Sequence, residues 1–259
     1  MALRRRAMLA WPVAWAGAAW GQTPEALVLS ARGTLPLLLT APHGGQLAVP
    51  GVPARDSGTH VRDVGTDTLA EQVATLLGQR LGARPSVVVA RFGRRYIDAN
   101  RSPAEAYESP QAQVTYDHYH AEVAAHVAAL RASHPHAVLL DIHGQSQVPD
   151  TTFRGTRAGL TTRRLLAREG VAALQGPNSL LGVLAAQGLR VHPPLESTTL
   201  KEDARYAGGY TVYRYGSHNP DGIDAIQLEF GRQQRENPQL AGHLTEALAL
   251  FLKHHGYLT

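Results

Sequence analysis

Continuous apolar runs alternate along the chain with stretches whose apolar positions recur every three to four residues. LPLLLTA (35–41), SVVVARF (86–92) and AVLLDIH (137–143) read as strands buried on both faces. YTVYRYG (210–216) and DAIQLEF (224–230) also have strand character. Helical spacing predicts an amphipathic helix over TDTLAEQVATLLGQRLG (66–82) and a long helix within 114–132. RRLLAREGVAAL and NSLLGVLAAQGL are two further helical pieces divided by Gly176-Pro177, and a closing helix over 238–256 ends at a glycine. Apolar strands separated by helices predict an α/β fold, a sheet covered by helices on both faces. With no fixed-period repeat and no low-complexity linker, residues 22–259 read as one domain.

Two of the apolar runs stop in the same way. LPLLLTAPHGG ends at His43-Gly44-Gly45, and AVLLDIHG ends at His143-Gly144. Ligands in open α/β sheets collect at the carboxyl ends of strands, and imidazole is the commonest metal ligand. The glycines read as turns that open a pocket. Alone, each histidine also reads as a polar loop residue; two in equivalent contexts point to a shared site. The sequence has 13 histidines and no cysteine. Disulfide scaffolds, cysteine nucleophiles and thiolate metal sites are thereby excluded, so a transition metal here must take imidazole and carboxylate ligands.

Charge changes the picture less than the formal value of +4 implies. Three arginines precede an apolar segment of about fourteen residues and then small residues, the layout of a signal peptide over residues 1–21. Export to the periplasm or the medium is therefore expected. The other reading, a membrane anchor, meets a run that is short for a span and contains Pro12. Without those arginines, 22 basic residues face 21 acidic ones, and no nucleic-acid footprint is expected. No membrane span after cleavage and no obligate protein partner is expected either.

A hydrolytic zinc site usually has three protein ligands. Asp63 and Asp67, both in RDVGTDTLAEQV, are candidates for the third, although both also suit the start of a helix. Asp63 is preferred, with Asp67, deeper in the helix, serving it. Asp141 lies two residues before His143 on the same strand face and reads either as its orienting carboxylate or as a partner of an arginine. RFGRRYIDANR is a solvated basic loop or an anion clamp; as a clamp, Arg101 and Asn100 hold a substrate carboxylate with Arg94 or Arg95 assisting. Glu229 interrupts an apolar strand, either on the wet face of an edge strand or as the general base of a hydrolase. His120 faces the site or the helix surface, and Tyr210 follows a glycine hinge suited to a cover over substrate.

Taken in order, PHGG (42–45), RDVGTDTL (62–69), RRYIDANR (94–101), YHAEV (119–123), LLDIHG (139–144) and QLEFG (227–231) resemble the N-formylglutamate amidohydrolase family. The resemblance implies a three-layer α/β/α fold with a mixed central sheet, phosphorylase/hydrolase-like and related to zinc carboxypeptidases. It implies an amide hydrolase with one Zn2+ per chain, His43 and His143 as metal histidines, Asp63 between them, Asn100-Arg101 on the substrate carboxylate and Glu229 as catalytic glutamate. Zinc carboxypeptidases carry His-x-x-Glu, whereas Gln46 stands three residues after His43. The expected substrate is a small N-acyl amino acid or peptide with a free carboxylate. A peptidoglycan or peptide carboxypeptidase using the same site is the alternative enzyme, and a periplasmic carboxylate-binding protein is the alternative without chemistry.

Overall fold

The computed structural model describes residues 23–197 and 199–258; the expected signal segment, 1–21, lies outside them. The strands are β1 (Val28–Ala31), β2 (Leu37–Ala41), β3 (Ser86–Ala90), β4 (Val138–Gln145), β5 (Thr151–Gly155), β6 (Arg190–His192) and β7 (Asp224–Gly231). The helices are α1 (Thr66–Leu81), α2 (Pro103–Ala106), α3 (Gln113–Ser133), α4 (Arg163–Glu169), α5 (Ala172–Gln175), α6 (Leu180–Ala186), α7 (Tyr210–Tyr215), α8 (Arg232–Glu236) and α9 (Leu240–His254).

The strands form one seven-stranded sheet in the order β1-β3-β2-β4-β7-β5-β6. Its centre, β3-β2-β4-β7, is parallel, and β1 and β5 join it antiparallel. Alternate residues of the central strands go to opposite faces. Leu37, Leu39, Leu140, Ile226 and Leu228 pack under α1, α6 and α9. Leu38, Val88, Leu139 and Ala225 pack under α3 and α7 with Tyr119, Val123 and Val212. Burial on both faces is why these strands read as unbroken apolar runs. The result is the expected three-layer α/β/α arrangement with a mixed sheet. No described helix is long and apolar enough to cross a membrane.

The segment 210–216, expected as a strand, is instead the helix α7. Asn100 explains this: its backbone carbonyl accepts from the Tyr210 N–H at 3.2 Å, and its side-chain oxygen accepts from the Thr211 N–H at 2.8 Å. Two N–H groups of the first turn are thus satisfied from outside the segment, and Val212 and Tyr215 drop into the core. Tertiary contacts outweigh the β preference of alternating Tyr and Val. Strands β1, β5 and β6 were not expected. In β5 the buried side chains include Thr151, Thr152 and Arg154, so burial leaves no apolar signature there.

Candidate metal and hydrolytic site

The site forms where the parallel strands end. His43 stands two residues beyond β2, His143 lies within β4, and Glu229 lies on β7 in register with His143. Because β7 runs between β4 and β5, the edge-strand reading of Glu229 is corrected: the glutamate projects from an interior strand. Pro42, His43 and Gly44 form a bend directly after β2, whereas Gly144 lies inside β4 and makes no turn. A Cβ on Gly44 would sit 2.4 Å from the Asp67 backbone nitrogen, and one on Gly144, inside β4, 2.5 Å from the Arg235 guanidinium carbon. Both positions are small so that other parts of the chain can approach.

Asp63 reaches the histidines from the loop ahead of α1. Its backbone N–H donates to the His43 carbonyl at 3.1 Å, and its own carbonyl accepts from the N–H and hydroxyl of Thr66 at 3.2 and 2.8 Å. This fixes the carboxylate over the sheet end, where Oδ2 also accepts from the Gly144 N–H at 3.1 Å. His43 Nδ1, His143 Nδ1 and Asp63 Oδ2 then converge, with separations of 3.1 Å between the nitrogens and 3.4 and 3.3 Å from each nitrogen to the oxygen. All three residues are buried.

The far nitrogens of the two rings determine what this triangle can hold. His43 Nε2 lies 2.7 Å from Asp98 Oδ1, and His143 Nε2 lies 2.8 Å from Asp141 Oδ2. In the neutral tautomer whose Nε2 donates to the carboxylate, Nδ1 is a bare acceptor. Two nitrogen lone pairs and a carboxylate oxygen therefore face one point. A proton can serve one edge of that triangle; a cation at the centre serves all three. Tetrahedral ligands about 2.0–2.1 Å from zinc stand roughly 3.3 Å apart, close to the spacings found, so the residues fit the ion.

The local charge state follows from the same contacts. Burial alone would raise Asp63, but hydrogen bonds to His143 and His43 outweigh it and hold the carboxyl far below its ordinary range. Burial would lower His143, yet Asp141 and Asp63 keep its proton affinity well above that of a free imidazole. Burial raises the Glu229 carboxyl, against the pull of His143. Burial would also raise Asp98; His43 and Arg94 reverse this and keep it ionised.

His43, Asp63, His143 and Glu229 line a cleft of about 550 Å³ together with Arg94, Asn100 and Arg101. Arg94 is turned inward by Asp98 at 2.9 Å and Asp63 at 3.6 Å. The Arg101 guanidinium has no carboxylate partner among the described residues; its one hydrogen bond goes to the Asn100 carbonyl at 3.4 Å. Arg95, next to Arg94 in a turn, faces outward over the Tyr96 ring and does not line the cleft. Nor do His120 and Tyr210, whose rings pack on each other at 5.4 Å. His120 instead lies near the Ala99 carbonyl (3.0 Å) and the Tyr215 hydroxyl (3.1 Å), and burial lowers its pKa to about 4. Gly208 and Gly209, just before Tyr210, do form cleft wall. Asp67 stands apart from the triangle and meets Arg62 at 3.3 Å, because its place one residue inside α1 points it at Gly44. Asp98 and Arg235 carried no sequence signal of their own; Asp98 was visible only as the single acid in an arginine-rich loop.

Comparison with known proteins bears on this geometry. The N-formylglutamate amidohydrolase family model matches residues 109–234. An N-formylglutamate amidohydrolase from Ralstonia eutropha has a TM-score of 0.60 at 19% identity, over 90% of this chain and 98% of that one. A gene product of Agrobacterium tumefaciens has a TM-score of 0.55 at 17% identity, over 90% and 93% of the two chains. At these identities the likeness to the solved structures is one of fold. No curated protein matches the sequence.

Proposed function

The chain belongs to the N-formylglutamate amidohydrolase family by its match over residues 109–234, and from that premise we propose a zinc-dependent hydrolase that cleaves an amide bond near a free carboxylate. One observation carries the metal: the Nδ1 atoms of His43 and His143 and Oδ2 of Asp63 converge within 3.4 Å of one another, while each Nε2 faces a carboxylate. When bound there, zinc supplies Lewis acidity and lowers the pKa of a water toward neutrality. Asp98 and Asp141 hold the imidazoles in the tautomer that leaves Nδ1 free. Glu229, its basicity raised by burial, takes a proton from the attacking water and delivers it to the leaving nitrogen. Arg101, whose guanidinium has no carboxylate partner among the described residues, grips the substrate carboxylate and aligns the scissile carbonyl. Asn100 directs Nδ2 toward the cleft because its oxygen is committed to α7. The substrate class is an N-acyl amino acid or short peptide, and the layout of residues 1–21, three arginines ahead of an apolar run, supports export.

Metal analysis of the purified chain, followed by a screen of N-formyl and N-acyl amino acids and small peptides, tests the proposal. Stoichiometric zinc removable by chelator, with turnover lost alongside it, is the expected result. Formate release and amino-acid release separate a deformylating enzyme from a carboxypeptidase. Carboxylate binding without metal or turnover would mean a binding protein instead. Glu229→Gln should retain zinc while turnover falls by about 10²–10⁴; full activity would remove Glu229 from the role of base. Cell fractionation tests export.

A further inference from the structure

Arg235 lies on α8, just beyond β7. Its guanidinium donates to three backbone carbonyls: Nε to Phe230 at 3.1 Å, Nη1 to Val64 at 2.5 Å and Nη2 to Gln145 at 3.2 Å. Each acceptor sits beside a residue of the site. Val64 follows Asp63, Phe230 follows Glu229, and Gln145 lies two residues after His143. No carboxylate pairs with Arg235 among the described residues, so its donors are committed to the chain rather than to a counter-ion. The missing side chain at Gly144 admits it, since a Cβ there would stand 2.5 Å from the guanidinium carbon.

We propose that Arg235 is a positioning residue that staples the loop before α1, the end of β4 and the end of β7 into one frame, setting the spacing of Asp63, His143 and Glu229. The planar fork of arginine is what makes this possible. Its donors diverge in a fixed plane and reach three segments at once, whereas a lysine ammonium is a point charge on a flexible stem. The inference rests on the metal-hydrolase reading above. It differs from substrate anchoring, which a cleft-lining arginine could also perform, because a staple acts on metal affinity before any substrate arrives.

The test is zinc affinity of the metal-free full chain, measured by competition with a chromophoric chelator, for wild type, Arg235→Lys and Arg235→Met. Supporting groups around a metal site typically control its affinity by about 10- to 100-fold, and a loss in that range is expected for both variants, with kcat falling in parallel. Arg235→Lys retains charge and bulk and decides the matter if Arg235→Met does not fold. Wild-type zinc affinity in Arg235→Lys overturns the staple, and a rise in KM alone reassigns Arg235 to substrate. A wild-type chain that binds no zinc overturns the hydrolase reading itself, a different outcome from unaffected variants of a zinc-binding wild type.

Discussion

Two buried charged clusters lie at the sheet, and they are built on opposite plans. In one, the Glu202 carboxylate, with its side chain 1% exposed, accepts from Arg154 Nε at 2.9 Å, the Thr156 N–H at 2.9 Å, the Thr156 hydroxyl at 2.6 Å and the Ala158 N–H at 3.1 Å. Arg154 Nη1 donates to the Leu174 carbonyl at 2.6 Å, so Nη2 is the one nitrogen of this guanidinium without a partner among the described residues. In the other, His43 and His143 turn Nδ1 toward each other and toward Asp63 Oδ2, and their far Nε2 atoms face Asp98 and Asp141. Buried polar groups are costly unless satisfied: the first cluster is satisfied almost wholly by the chain and serves the fold, and the second is a group of residues that could hold a cation. A buried carboxylate is informative about function only through what its neighbours leave unsatisfied.

The sharpest way to break this comparison is to open the closed cluster. Glu202→Ala strands the Arg154 charge, and removing one partner of a buried pair costs about 3–5 kcal/mol. A large fall in Tm or in the denaturant midpoint is expected, and added zinc should not restore it. Recovery by zinc would mean that the two clusters are not distinct.

Filling the open cluster is the converse experiment. Zinc at about 100–1,000 times its Kd should stabilise the native chain by roughly 2.7–4.1 kcal/mol, and a chelator should remove that increment. In His43→Ala the chelator should leave the melting curve unchanged. An equal chelator effect in that variant would move the metal elsewhere.

The clusters also differ in how far the sequence exposes them. His43 and His143 were legible because each ends a strand buried on both faces, and such strands are continuous apolar runs. Asp63 was legible as one of two acids at a helix start; the choice between it and Asp67 turned on which residue the loop reaches over the sheet with. Asp98 is 55 residues from His43, and nothing local to RRYIDANR separates a carboxylate serving a histidine from one serving its neighbouring arginines. The same holds for Arg235, whose acceptors are backbone carbonyls of no particular residue type. In α7 the pattern misled, since the caps that make the segment helical come from Asn100, more than a hundred positions upstream. Glu202 and Arg154 escaped notice because a charged strand residue and a charged loop residue look like surface until the fold buries them.

The finest test of the open cluster leaves its three ligand atoms intact. Asp98 accepts from His43 Nε2 at 2.7 Å and also takes Arg94 Nε at 2.9 Å on its other oxygen. In Asp98→Asn the amide can still offer one oxygen to His43, but its NH2 group then faces the Arg94 guanidinium, donor against donor. The alternative rotamer satisfies Arg94 and turns the NH2 toward His43 Nε2, which favours the tautomer with the proton on Nδ1, inside the triangle. Either way the ring is worse prepared to bind a cation, and zinc affinity should fall by about 10- to 100-fold, beyond a fall in the metal-free melting temperature from the weakened Arg94 pair, while the Glu202 cluster is untouched. Asp141→Asn should act alike on His143, with the added loss of order at Thr40, whose hydroxyl donates to Asp141 at 2.6 Å. If Asp98→Asn binds zinc as tightly as wild type, the tautomer of His43 is set by something other than this carboxylate, and the outward-pointing donors lose their place in the comparison.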